Sequence, residues 1–133
     1  MRPTFDASSS ASRYVFSDGN VIQVFYLNQI NNWRASVRTA NGTYRVDTQG
    51  LTWSANTWHL LTVTYSGAEV KLYWDGALAD SVPASGAVVS DSGASVLGVA
   101  SVGGNNYIGG IDELRVFASA LTAAQVYNLY VNP

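Results

Sequence analysis

Residues 58–76 set the architecture: Trp58-His59-Leu60-Leu61-Thr62-Val63-Thr64-Tyr65, then Ser66-Gly67, then Val70-Lys71-Leu72-Tyr73-Trp74-Asp75-Gly76. Two runs rich in β-branched and aromatic residues are parted by a turn pair, and a second turn pair closes the stretch. Asp-Gly favours a two-residue hairpin loop, because both central residues can take positive φ. The run 77–82 then returns alongside, so a three-stranded meander is expected.

The same grammar extends outward in both directions. Upstream, Trp33, Ala35 and Val37 alternate with Arg34, Ser36 and Arg38, so one face of that strand is core and the other wet. Asn41-Gly42 turns it into the run 43–47. The runs 13–17 and 21–27 flank Asp18-Gly19-Asn20 as an earlier hairpin. Downstream, 83–95 is a Gly, Ser and Ala loop, 96–99 a strand, 101–106 a Gly-Asn loop and 108–117 the last strand. The tail changes period. Leu121, Gln125, Val126, Leu129 and Tyr130 are spaced for a helix, and Thr122-Ala123-Ala124-Gln125 has the form of a capping box. The opening residues 1–12 are polar and Ser-rich, and read as a flexible lead-in before a domain over 13–133.

Composition limits the function. The chain has 133 residues, enough for one domain with one core. Charged residues are 12% and the net charge is −2, which gives little electrostatic pull toward nucleic acid or an anionic membrane. No apolar run is long enough to span a bilayer, and no signal-like apolar run follows Met1. There is no Cys and one His, His59, so disulfides, thiolate sites and multi-His zinc sites are excluded.

The meander just quoted joins a second group of residues: Leu97-Gly98, Gly110-Ile111-Asp112-Glu113-Leu114-Arg115-Val116-Phe117, Ala120-Leu121-Thr122 and Leu129-Tyr130. Together, over roughly 13–131, they resemble the laminin G-like group of the concanavalin A-like lectin/glucanase superfamily. The resemblance implies an all-β, two-sheet antiparallel jelly-roll sandwich closed by one short C-terminal helix. It further implies a module that binds sugars or proteins, often extracellular or surface-associated, in some members with calcium. The strands that normally precede the segment 13–17 are expected to be missing, through shortening or fragmentation. The exposed pairing edge this would leave points to a homo-oligomer formed through a sheet edge or a swapped strand.

The residues offer little catalytic chemistry. Glycoside hydrolysis needs two facing carboxylates. The only glutamates are Glu69, in a turn, and Glu113, which neighbours Asp112 on a strand and so faces the other way. The Glu-x-Asp-x-x-Glu pattern of related glucanases is absent. His59 reads as a hydrogen-bonded strand residue. Asp112 shares a face with Leu114 and Val116 and is the candidate calcium ligand, the alternative being satisfaction by backbone amides or an Arg. Arg34 and Arg38 on the wet face, and Lys71 and Tyr73 opposite Leu72 and Trp74, are the candidate ligand-binding residues. The loops Asp91-Ser92-Gly93 and Gly103-Gly104-Asn105-Asn106 could add oxygens for a sugar or ion. At least three of the four tryptophans are expected in the core. Asn41-Gly42-Thr43 also fits a glycosylation acceptor, but the hairpin accounts for it fully. The expectation is a non-enzymatic module for a glycan or glycoprotein surface. The competing one is a structural or adhesion element of a larger surface or virion protein.

Overall fold

The computed structural model describes residues 1–90, 93–99 and 105–133. Among the described residues, ten strands and one helix run in chain order: β1 (Arg2–Pro3), β2 (Arg13–Asp18), β3 (Ile22–Leu27), β4 (Asn32–Thr39), β5 (Gly42–Asp47), β6 (Leu61–Tyr65), β7 (Glu69–Trp74), β8 (Ala77–Pro83), β9 (Ser95–Leu97), β10 (Gly109–Gly110) and α1 (Ala123–Val131). They form an antiparallel five-stranded sheet in the order β5-β4-β3-β2-β9, a three-stranded sheet β6-β7-β8 and a small pair β1-β10. This is the expected all-β sandwich with a single C-terminal helix.

Alternation puts the core between the two larger sheets. Ala35, Val37 and Val46 face Val70, Leu72 and Ala84 in one cluster. Tyr26, Trp33, Trp53, Trp74 and Tyr107 build a second, aromatic cluster with Met1 and Val15. Each large apolar side chain so buried contributes about 1.5–3 kcal/mol. Inside this core the Thr48 hydroxyl accepts from the Trp33 amide at 2.9 Å, satisfying a backbone donor that water cannot reach.

The turns differ in how closely they follow their residues. Asp75-Gly76 forms the expected two-residue loop, with φ of 49° and 79°. At Asn41-Gly42 the loop is shifted by one position: Thr39 pairs with Gly42, so Ala40 and Asn41 make the turn. Side-chain bonds explain the shift. Thr39 Oγ1 accepts from the Asn41 amide at 3.1 Å, and Asn41 Nδ2 donates to Ser85 Oγ at 3.0 Å.

Two expected elements are corrected. Residues 1–12 are not a loose lead-in. Met1 and Pro3 are buried and Phe5 packs on the aromatic core. The Trp53 indole N–H donates to the Phe5 carbonyl at 3.0 Å. A strand, β1, therefore does precede β2. The expected strand 108–117 reduces to Gly109–Gly110, because Glu113 takes φ of 54° and breaks the extended run. The meander's first strand also begins at Leu61 and not at Trp58, since 58–60 bond instead to the N-terminal segment and to Asp75.

The helix forms as its cap predicts. Thr122 Oγ1 accepts from the Gln125 amide, and Gln125 Oε1 accepts from the Thr122 amide at 2.8 Å. The helix lies against β8 and the turn before it, so close that a β-carbon on Gly76 would sit 3.1 Å from Tyr130 Cβ.

Candidate functional site

The residues singled out from the sequence do not converge. Arg34 and Arg38 lie on the outer face of the five-stranded sheet, with Thr43, Arg45 and Asp47 beside them in register. Arg34 holds Asp47 through two bonds, of 2.7 and 2.8 Å. That hydrogen bond, followed by the Asp47 charge, raises the guanidinium's pKa against the cost of burial. Arg38 is exposed. Lys71 and Tyr73 belong to the other sheet. Lys71 pairs with Glu69 at 2.6 Å, which raises its pKa. Tyr73 is only 3% exposed, so it is not the open surface residue expected. It alternates with Leu72 along β7, yet it is covered as well.

The catalytic candidates stay separate. Glu69 opens β7, while Glu113 forms an ion pair with Arg115 at 2.5 Å. His59 Nδ1 meets Asp75 Oδ2 at 2.8 Å, and its ring lies 4.5 Å from the Trp74 ring, centroid to centroid. Asp75 Oδ1 also accepts the Leu60 amide at 2.8 Å, so this pair ties the approach to β6 to the β7–β8 turn.

Asp112 is exposed, because no strand runs through it. Its Oδ1 accepts the Glu113 amide at 2.9 Å. Calcium takes about six to eight oxygens. Among the described residues no three His, Cys, Asp or Glu side chains gather around a common point. Of the two loops expected to supply oxygens, Asp91, Ser92, Gly103 and Gly104 lie outside the described residues.

One residue that sequence reasoning passed over does stand out. Trp33, Trp53 and Trp74 are buried, at 0%, 7% and 7%, while Trp58 is 49% exposed. Three distant segments hold it. Met1 and His59 exchange backbone bonds, both of 2.8 Å, and the Asn56 amide donates to the Pro3 carbonyl. On its other side, β1 pairs Arg2 with Gly110 and Pro3 with Gly109. The residues 56–59, 1–3 and 108–110 thus form a seam. On it the Arg2 guanidinium sits 5.3 Å from the Trp58 ring centroid, within cation–π range. Glycine is required at Gly109, where a β-carbon would fall 2.1 Å from the Arg2 carbonyl oxygen, while one on Gly110 would press on Trp58 Cη2 at 3.0 Å. The result is an indole half open and fixed in orientation, with the Arg2 guanidinium over its ring. No local pattern marks it, since Trp58 opens a run that reads as strand.

A second concavity, of about 590 Å³, runs between residues 60–65, residues 111–121 and the inner side of β2 and β3 at Phe16, Ile22 and Val24. Its walls are mostly apolar.

A laminin G-like family model described as the Concanavalin A-like lectin/glucanases superfamily matches residues 2–127. No curated protein matches the chain. Among solved structures, it is similar to an S-layer domain-containing protein from Clostridium thermocellum, with 18% identity and a TM-score of 0.49 over 97% of this chain and 62% of that one. It is also similar to a mutant of HCR/D, with 16% identity and a TM-score of 0.59 over 94% of this chain and 34% of that one. The chain therefore spans less than two-thirds of either solved protein, and the likeness to the HCR/D mutant is one of fold.

Proposed function

The chain belongs to the concanavalin A-like lectin/glucanase superfamily, and from that premise we propose that it is a non-enzymatic module, carried on an extracellular or surface-associated protein, that recognises a glycan or a glycosylated protein surface. Membership supports a binding or structural role, and the dispersal of the carboxylates supports binding over hydrolysis. The observation that carries the sugar reading is the fixed, half-open indole of Trp58. A pyranose ring presents C–H groups on its face and hydroxyls at its rim. Its face would stack on the part of the indole that Arg2 leaves open. The outer-face arginine Arg38 is the second candidate position, with hydrogen bonding but no adjoining exposed tryptophan.

A single stacking platform gives affinities on the order of millimolar, so a densely printed glycan array is the sensitive measurement. The array is run in calcium and again in chelator, with wild type, Trp58→Ala and Arg38→Ala. Signal lost in Trp58→Ala but kept in Arg38→Ala supports the platform, and the reverse moves the site to the outer face. Loss on chelation would restore a metal role and make Asp112 the next substitution. Absence of any signal for the wild type would replace the reading with a structural or adhesion element.

A further inference from the structure

The chain has seven Lys and Arg residues, and most of them are engaged. Arg34 is bonded to Asp47, Lys71 to Glu69 and Arg115 to Glu113. Arg2 lies over the Trp58 ring, and Arg13 Nη1 donates to the Asn106 carbonyl. The two that remain, Arg38 and Arg45, are exposed and have no partner among the described residues.

These two stand side by side. The register pairs Ser36 with Arg45 and Arg38 with Thr43, which puts Arg45 on the diagonal from Arg38 across β4 and β5. Alternation sends both outward, since their strand neighbours Val37, Thr39 and Val46 are buried. Diagonal cross-strand neighbours lie about 7–8 Å apart, within reach of long side chains. Ser36 and Thr43, which face them across the pair, are small and leave both arginines open. Like charges this close repel. The face offers no free acid to offset them, because Asp47, the next outward residue along β5, has both its oxygens on Arg34.

We propose that Arg38 and Arg45 form a second binding site, for the carboxylate of an acidic sugar, built on strands that take no part in the Trp58 seam. It rests on the reading of the module as glycan-binding. An anion seated between the two arginines turns their repulsion into attraction. Each guanidinium presents a planar fork of N–H donors, and a carboxylate has two oxygens, one for each fork. A sulfate ester has a third terminal oxygen that calls for a further cation, and the nearest, Arg34, is held by Asp47. The exposed Thr43 hydroxyl beside Arg38 can bond the hydroxyls of the same ring. The net charge of −2 keeps the attraction local, so the site suits a sugar chain with isolated carboxylates better than a densely charged polyanion.

Isothermal titration of the full chain tests this with an oligogalacturonate, and with the same oligosaccharide after its carboxyl groups have been reduced to alcohols. The acidic form is expected to bind about tenfold tighter than the reduced form, the factor one charge-assisted bond supplies, and the preference should shrink as salt is added. Arg38→Ala and Arg45→Ala should each abolish that preference. Arg45→Lys should keep part of it, and Arg115→Ala, which removes a charge elsewhere, should leave it unchanged. Both arginines are exposed, so their variants should keep the wild-type circular dichroism and Tm. Equal affinity for the two forms, or a preference that survives both alanine variants, overturns the acidic site while the glycan reading stands. Equal binding of polyglutamate through the same arginines also overturns it, by assigning the site to an acidic protein. Tighter binding of a sulfated, uronate-free oligosaccharide rejects the carboxylate. Binding of no glycan at all, in solution or on the array, rejects this site and the glycan reading together.

Discussion

The indole of Trp58 rests close on Gly110: a β-carbon there would lie 3.0 Å from Cη2. Gly110→Ala should therefore tilt the ring without unfolding the seam, since the backbone at Gly110 does not have positive φ. A severalfold drop in array signal is expected, with a shift in tryptophan emission and a stability loss below about 1 kcal/mol. Unaltered binding would separate the platform from recognition.

The Arg34–Asp47 pair joins β4 to β5 by two parallel bonds, with both side chains largely shielded. A double-mutant cycle of Arg34→Ala and Asp47→Ala in urea should give a coupling of about 0.5–1 kcal/mol that weakens with salt. A coupling near zero would mean the pair only decorates the sheet.

Tyr107 carries a buried hydroxyl with no protein partner. Burial pushes its pKa well above the usual tyrosine value, against a smaller opposing effect of Arg2. The neutral ring is thus bound to the folded state. Its contribution is complete below about pH 10, where the unfolded phenol is also protonated, and is lost as pH rises above that. Tyr107→Phe should flatten the alkaline arm of a stability–pH curve and stabilise at neutral pH by about 1 kcal/mol. An alkaline arm as steep as that of wild type would rule this out.

Thr122 and Gln125 close the capping box of α1. Thr122→Ala should cost about 1 kcal/mol, read as a lower Tm and a weaker helical signal, because two N-terminal amides lose their acceptors or their geometry. Thr122→Ser should restore most of it.

The hairpins were readable because their causes are local. Trp33, Ala35 and Val37 alternate into the core as their spacing requires, and Asp75-Gly76 takes positive φ at both positions. The first twelve residues were misread because Ser8, Ser9 and Ser10 dominate their composition. The useful signal was shorter: Met1, Pro3 and Phe5 fall on alternate positions and turn inward. Residues 111–117 show the converse, a strand pattern that a single left-handed residue, Glu113, interrupts. Alternation places Arg34, Arg38, Lys71 and Tyr73 on particular faces, but the sequence holds no measure of what lies over a face. That is why Tyr73 is covered and why Trp58, grouped with the core-forming run, stands open.

The seam beneath Trp58 also bears on the order of folding. Its bonds join residues 58 positions apart at Met1 and His59, and 104 apart at Thr4 and Ile108. The hairpins of both sheets close over short loops, whereas these contacts must meet the larger entropy of bringing distant parts of the chain together. The seam should be the last structure to form and the first to open. A ligand that needs Trp58 in place would then bind only molecules whose folding is finished.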